Sequence, residues 1–319
     1  MGSGIGSRGS GGEFPGPLPV SPAVQLPRSR NADPRAPYPM PTLYIVSTPI
    51  GNLGDLSHRA VEVLGDVDVV LAEDTRRTGV LLKHFGVEAR MISAHEHNES
   101  ARARLVVELL EEGKKVALVS DAGTPLLSDP GSRLVKSAVE AGFPVVPIPG
   151  ASALLAALVA SGLSADRFTF YGFIPRKGGD RTALLREITA SPYTSILYES
   201  PHRVQALLTD LLELAGPDRQ IVLARELTKL HEEIYRAPLG EAISHLGDRA
   251  PRGEFVVVVQ GNTEPPDTEA EAAAARTIAE ALLARGLPPS AVAKEVSRRS
   301  ALSRNEAYEM VQGMTGAVG

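Results

Sequence analysis

Three stretches of this sequence combine residue types suited to holding a small polar ligand. Ser47-Thr48-Pro49-Ile50-Gly51-Asn52-Leu53-Gly54-Asp55-Leu56-Ser57 carries hydroxyls and glycines that let backbone approach a ligand, and Ser57 is placed to cap a following helix. Ser120-Asp121-Ala122-Gly123-Thr124-Pro125, continuing to Gly131, is built of small residues that expose backbone N–H groups, with Asp121 adding negative charge. Pro147-Ile148-Pro149-Gly150-Ala151-Ser152-Ala153 opens an apolar helix whose free N-terminal amides favour an anion. None of the three is a P-loop or a G-x-G-x-x-G turn, which argues against ATP or NAD held in the usual way. For each, a plain structural turn is the competing account.

Proton acceptors gather in two places. Glu73 and Asp74 follow one apolar run, and His95-Glu96-His97-Asn98-Glu99 follows the run Met91–Ala94. The candidates for a catalytic base are therefore Glu73, Asp74 and His97. The His/Glu cluster suits a substrate-side role or plain solvent exposure, and no metal is expected there. Arg225 with Glu226, and Glu199 with Arg203, are equally suited to ion pairs that order their loops.

These stretches must be positioned by regular elements. Short apolar runs at Leu43–Val46, Val67–Ala72, Val116–Ser120, Val145–Ile148, Phe168–Tyr171, Ser195–Tyr198, Ile221–Ala224 and Phe255–Val259 read as strands. Helical periodicity lies between them, for instance over Ala101–Glu112 and Arg203–Ala215. Alternating strands and helices predict two α/β units with mixed sheets, divided near residue 155, so that the candidate loops sit beyond the carboxyl ends of strands. The expected organisation is a disordered leader over 1–40, an N-terminal α/β domain over 41–154, a second over 155–262, and a linker with a small helical domain over 263–319. The leader reading rests on seven glycines and eight prolines within residues 1–40. The last segment, with helices around Ala272–Arg285, Ser290–Arg299 and up to Val311, is helix-turn-helix-like or simply a solvated helical tail.

Composition removes several classes. The 319 residues contain no cysteine, so there is no disulfide, no Cys-ligated metal and no thiol nucleophile, and a reducing cytoplasm fits. A net charge of -5 excludes binding of nucleic acid by bulk charge, though not by a local patch. One such patch sets Arg285, Lys294, Arg298, Arg299 and Arg304 against Glu295. The longest apolar stretch, Ala151–Ala165, falls short of the roughly 20 residues a membrane helix needs.

The run Thr42–Gly261 resembles the tetrapyrrole methylase family, the class III methyltransferases. Ser47–Leu53, Ala72-Glu73-Asp74-Thr75-Arg76, Ser120–Pro125, Gly172-Phe173-Ile174-Pro175, Tyr198-Glu199-Ser200-Pro201-His202-Arg203 and Ala224-Arg225-Glu226-Leu227-Thr228-Lys229 are similar to the branch that methylates 16S rRNA on a ribose 2′-oxygen. The resemblance implies S-adenosylmethionine bound in a cleft between two α/β domains by Pro49, Asp121, Ala122, Gly123, Thr124, Ser152, Ala153, Tyr198, Glu199, Ala224, Gly253 and Glu254. It further implies a decoding-centre cytidine of 16S rRNA or the 30S subunit as substrate, and a homodimer. RNA contact is expected from Arg76, Arg77, Arg176, Lys177, Arg181, Lys229, Arg298 and Arg299, whose phosphate contacts would position the substrate. Methylation of a tetrapyrrole or other small molecule, and a non-enzymatic RNA-binding or ribosome-assembly role, are the alternatives.

Overall fold

The computed structural model describes residues 40–247, 252–262, 268–300 and 302–316. The leader expected over 1–40 lies outside these residues apart from Met40, as does the 263–267 part of the linker.

Five strands form the first sheet: β1 (Leu43–Val46), β2 (Val69–Ala72), β3 (Met91–Ser93), β4 (Val116–Val119) and β5 (Val145–Ile148), in the order β3-β2-β4-β1-β5. Every pairing in it is parallel, so this sheet is not mixed. The cause is that each connection carries a whole helix, long enough to return the chain to the same end of the sheet. Helices α1 (His58–Asp66) and α2 (Thr75–His84) pack on one face with Tyr44, Val46, Val70, Ala117, Val119 and Ile148. Helices α3 (Glu99–Glu111) and α4 (Ser132–Glu140) cover the other, over Leu43, Leu71, Val116 and Leu118. The strands are buried on both sides, which explains their unbroken apolar sequences. Ser57 caps α1, its hydroxyl accepting from Ala60 N at 3.2 Å, as its type and place predict.

The adjacent strands β1 and β4 send their helices to opposite faces. Their trailing loops therefore diverge and leave a crevice at the carboxyl edge.

The second sheet has the order β6-β7-β10-β8-β9, from β6 (Phe168–Phe173), β7 (Thr194–Glu199), β8 (Gln220–Arg225), β9 (Glu233–Pro238) and β10 (Phe255–Val259). Here β6 and β7 run parallel and the other pairings are antiparallel. Helices α6 (Gly179–Ala190), α7 (Val204–Ala215) and α8 (Leu239–Leu246) cover one face. The other face is closed by α5 (Ala153–Ser161), whose Leu154, Ala157 and Leu158 pack on Ile196, Val222, Ala224 and Val256. This helix starts where β5 of the first sheet ends, so it fixes the second sheet against the first. Truncating buried Leu158 to Ala costs about 2–5 kcal/mol. Because α5 packs on the second sheet, we place the division between the two α/β units just ahead of it.

Two strands, β3 and β9, are absent from the sequence expectation. Both are edge strands, only partly buried, and β9 reads Glu-Ile-Tyr-Arg-Ala-Pro, with charges and a terminal proline that an edge tolerates. Beyond the second sheet, α9 (Thr268–Ala284), α10 (Pro289–Arg299) and α11 (Arg304–Gly316) enclose a separate core of Ala275, Ala279, Leu282, Val292, Val296, Ala307 and Val311. Proline at the first position of α10 removes an amide that would lack a partner anyway.

Candidate active site

The crevice between β1 and β4 is stitched by a two-residue antiparallel bridge. Thr48 N donates to Gly123 O at 2.8 Å, and Gly123 N donates back to Thr48 O at 3.0 Å. Gly123 adopts φ 87, the left-handed region that favours glycine. The Thr48 hydroxyl donates to Ser120 O at 3.1 Å, and that of Thr124 to Ala151 O at 3.1 Å. All three candidate loops are thereby joined, as their shared place at strand ends predicts.

The second sheet meets this edge through the loop after β8. Asn52 N donates to Thr228 Oγ1 at 3.1 Å, and a side chain on Gly51 would collide with Lys229 Cγ, so only glycine admits that approach. Among the described residues, four other than glycine have positive φ: Leu126, Ser128, Glu226 and Thr228. Two lie in the loop after β4 and two in the loop after β8. Such backbone, unfavourable for a β-branched residue like Thr228, persists where surrounding contacts enforce it, and it concentrates at functional sites.

Two adjoining chambers lie between these loops. The larger, about 320 Å³, is lined by the expected Ala122, Gly123, Thr124, Ser152, Ala153, Tyr198, Glu199 and Glu254. The smaller, about 280 Å³, is lined by Pro49, Asp121, Arg77 and Lys229. Ile50, Ala122 and Glu254 line both and mark the boundary between them. Ala224 and Gly253 line neither: Ala224 is wholly buried against α5, and Gly253 lies under the Glu226 carboxylate. Their parts are support of the wall and of the loop. The larger chamber adds Asp129 and Ser128, which the sequence places in the loop to Gly131 without a site role, together with Phe173 of the Gly172–Pro175 motif and Phe255.

The larger chamber offers groups for a ligand with both charge and apolar surface. The Glu199 side chain is wholly buried; its Oε1 accepts from Ser200 N at 2.8 Å. Its Oε2 makes no hydrogen bond, although the Arg203 guanidinium lies 3.3 Å away. A buried oxygen left in this state is ready for a ligand donor. The N-cap of α5, Ser152, makes no side-chain bond to the helix, and the Tyr198 hydroxyl lies close to Leu154 N. Burial pushes the Tyr198 phenol up, so it stays neutral and can donate.

Carboxylates crowd the end of β2 and β4. Burial, then the Asp121 charge, raises the Glu73 pKa; Glu73 Oε2 lies 3.5 Å from Asp121 N. Burial, then Glu73, pushes Asp129 up to about 6. Asp121 is held by Asp74 N at 3.0 Å and by the Arg77 guanidinium at 3.3 Å. In the smaller chamber, Lys229 Nζ is 2.9 Å from both Glu226 and Glu254, and its hydrogen bond holds the Glu226 carboxyl below the usual range.

The three proposed bases separate clearly. The Asp74 carboxylate caps α2 and grips Arg76 at 2.7 Å, which holds its pKa down to about 2. His97 has 83% of its side chain exposed, pairs with Glu96 and lines neither chamber. Glu73 alone sits beside the chamber wall with raised basicity. No group of three or more His, Asp or Glu among the described residues is arranged to hold a metal ion.

The basic residues also divide. Arg76, Arg176 and Lys177 are exposed, and Arg77 and Lys229 face the smaller chamber. Arg181 is nearly buried and held by Asp210 at 2.6 Å and Pro175 O at 3.1 Å, so it braces the second sheet's helices. Arg298 and Arg299 share the single carboxylate of Glu295, which reduces the charge they present.

A parallel sheet and a mixed sheet meeting over a two-chambered cleft of carboxylates and free amides define a two-unit α/β protein built to hold a polar organic ligand. The model of the tetrapyrrole (corrin/porphyrin) methylases matches residues 42–243, and the chain belongs to that family; it is a methyltransferase, and so uses a methyl donor. It is 45% identical to ribosomal RNA small subunit methyltransferase I of Synechocystis sp., over 85% of this chain and 97% of that protein. The protein of the same name from Escherichia coli O157:H7 is 46% identical, over 84% of this chain and 93% of the relative. That from Micromonospora olivasterospora is 47% identical, over 85% and 86%. Among solved structures, the methyltransferase CobJ matches with a TM-score of 0.53 and 21% identity, covering 69% of this chain and 94% of its own. That likeness shows the fold alone. No helix among the described residues is long and apolar enough to cross a membrane.

Proposed function

We propose that this protein is an S-adenosylmethionine-dependent methyltransferase that methylates the ribose 2′-oxygen of a cytidine in 16S rRNA, acting in the cytoplasm. The observation that carries the reading is the pair of adjoining chambers: one lined by acids and free amides shares Ile50, Ala122 and Glu254 with one lined by Arg77 and Lys229. The relatives' name supports a ribosomal RNA substrate.

The larger chamber fits the donor. The unpartnered Glu199 Oε2 suits an amine or hydroxyl donor, the α5 amides suit a carboxylate, and Tyr198 and Phe173 supply ring surface. Bound there, S-adenosylmethionine supplies a methyl on a sulfonium, whose C–S bond breaks as the new O–C bond forms.

The chain's own work is positioning and proton handling. Arg77 and Lys229 hold phosphate at the mouth of the smaller chamber, and the exposed Arg176 and Lys177 extend that grip. A ribose hydroxyl carries its proton at neutral pH and needs an acceptor in the transition state. Glu73 lies behind Asp121, which lines the smaller chamber, so the proton passes to the Asp121 carboxylate and on to Glu73, whose raised pKa suits it to hold the proton. We also read the chain as a homodimer, with Leu155 and Val159, exposed by 49% and 77% on α5, as apolar contact surface. A monomer in sedimentation at working concentration would remove that part.

The test is transfer of labelled methyl from S-adenosylmethionine to 30S particles from a strain lacking the modification, run beside a porphyrinogen precursor. Label in the RNA alone is expected; label in the porphyrinogen alone, or in neither, refutes the reading.

A further inference from the structure

The larger chamber is anionic among its lining residues. Asp129, Glu199 and Glu254 reach its wall, and no lysine, arginine or histidine does. Lys229 engages Glu254 at 2.9 Å and Arg203 pairs with Glu199 at 3.3 Å, which leaves Asp129 as the acid that faces a ligand without a cation of its own. Glu199 is wholly buried, with Oε2 free of hydrogen bonds beside Arg203. Asp129 has no basic group to itself. Glu73 and Asp121 approach from the ends of β2 and β4, the Tyr198 phenol faces it from β7, and the Ser120 hydroxyl lies close by while donating to Gly123 O at 3.3 Å. No lysine, arginine or histidine is among the groups that act on its carboxyl. The loop carrying Asp129 is shaped by positive φ at Leu126 and Ser128.

We propose that Asp129 is a further specificity residue of this chamber, one that favours a cationic sulfonium ligand over the neutral thioether left after methyl transfer. This rests on the reading of the chamber as the S-adenosylmethionine site. Methyl transfer removes one positive charge from the ligand while the chamber's negative charge stays. The attraction that held the donor is then lost, and the spent ligand is released more readily. Interaction between such charges is stronger in a half-buried chamber than in water.

The sign with pH follows from Asp129. Burial and then Glu73 push its carboxyl up to about 6, so it is anionic at neutral pH and protonated below. The preference for the cation is therefore full above that value and fades as pH falls through it.

The experiment is calorimetric titration of the full chain with S-adenosylmethionine, S-adenosylhomocysteine and sinefungin, an analogue with an ammonium in place of the sulfonium, between pH 5 and 7. In the wild type, the ratio of the thioether's Kd to the donor's should fall about tenfold from pH 7 to 5. Asp129→Asn should show the lower ratio at every pH, with S-adenosylhomocysteine binding little changed and sinefungin following the donor. A wild-type ratio that is flat with pH, or a variant that weakens all three ligands in parallel, overturns the proposal; the wild-type series decides it even if the variant does not fold. Absence of binding by any of the three removes the cofactor reading itself.

Discussion

The Lys229 ammonium lies 2.9 Å from the Glu254 carboxylate at the boundary between the two chambers. The same ammonium is 2.9 Å from Glu226, and its stem packs where Gly51 leaves room. One side chain thus joins the loop after β8, the start of β10 and the loop after β1. Lys229→Ala should weaken RNA binding and lower kcat/KM about tenfold, while thermal stability falls by only about 1 kcal/mol, since Glu254 is largely exposed. Steady-state kinetics beside a melting curve separates the two effects.

Glu199→Gln keeps the shape but replaces the unpartnered oxygen's charge. Affinity for S-adenosylmethionine should fall by about 1.5–3 kcal/mol, the range for a hydrogen bond to a charged group. Calorimetry showing unchanged affinity would place the ligand elsewhere.

Glu73→Gln should lower kcat about 10²-fold or more with little change in donor affinity. The base must be ionised to accept a proton, so the wild-type rate should rise with pH. Because burial raises the Glu73 pKa, that limb should lie above the ordinary carboxyl range, and it should vanish in the variant. A profile retained in Glu73→Gln assigns the limb to another group.

Asp129 carries a cost in stability with a definite sign. Its folded pKa of about 6 lies above the ordinary aspartate value of 3.8, so the folded state holds the proton more tightly. No penalty exists below the lower value; it grows as pH rises and is complete above the higher one. Asp129→Asn should therefore stabilise the fold at pH 7 by about 1–2 kcal/mol after allowance for partial exposure, seen as a higher melting temperature, and leave it unchanged near pH 3. Thermal denaturation at the two pH values checks this.

The basic residues should behave as two kinds. Removing exposed Arg176 and Lys177 should weaken RNA binding evenly across sequences and reduce the salt slope by up to about 2. Arg181→Ala should instead lower stability, because its guanidinium is nearly buried against Asp210. Binding measured across a salt series, with a melting curve, distinguishes them.

Much of the site was readable because loops at strand ends advertise themselves. Gly123, Thr124 and Ser152 are small residues directly after apolar runs, and all line the larger chamber. Asp129 carries no such signal, because its raised basicity comes first from burial and then from Glu73, distant in sequence and brought near through β2–β4 pairing. The positive φ of Leu126 and Thr228 has no sequence signal, since neither is a residue that prefers it. Edge strands β3 and β9 were illegible for the opposite reason: half-exposed strands need not be apolar. Arg181 looked like part of a basic loop because Asp210, its partner, is on another helix.

The central claim is tested most directly by mass mapping of ribose methyls on 16S rRNA from cells with and without the gene. The account predicts that deletion removes one 2′-O-methyl group, on a cytidine, and that the purified protein restores it with S-adenosylmethionine. An unchanged ribose methylation map on deletion would contradict it.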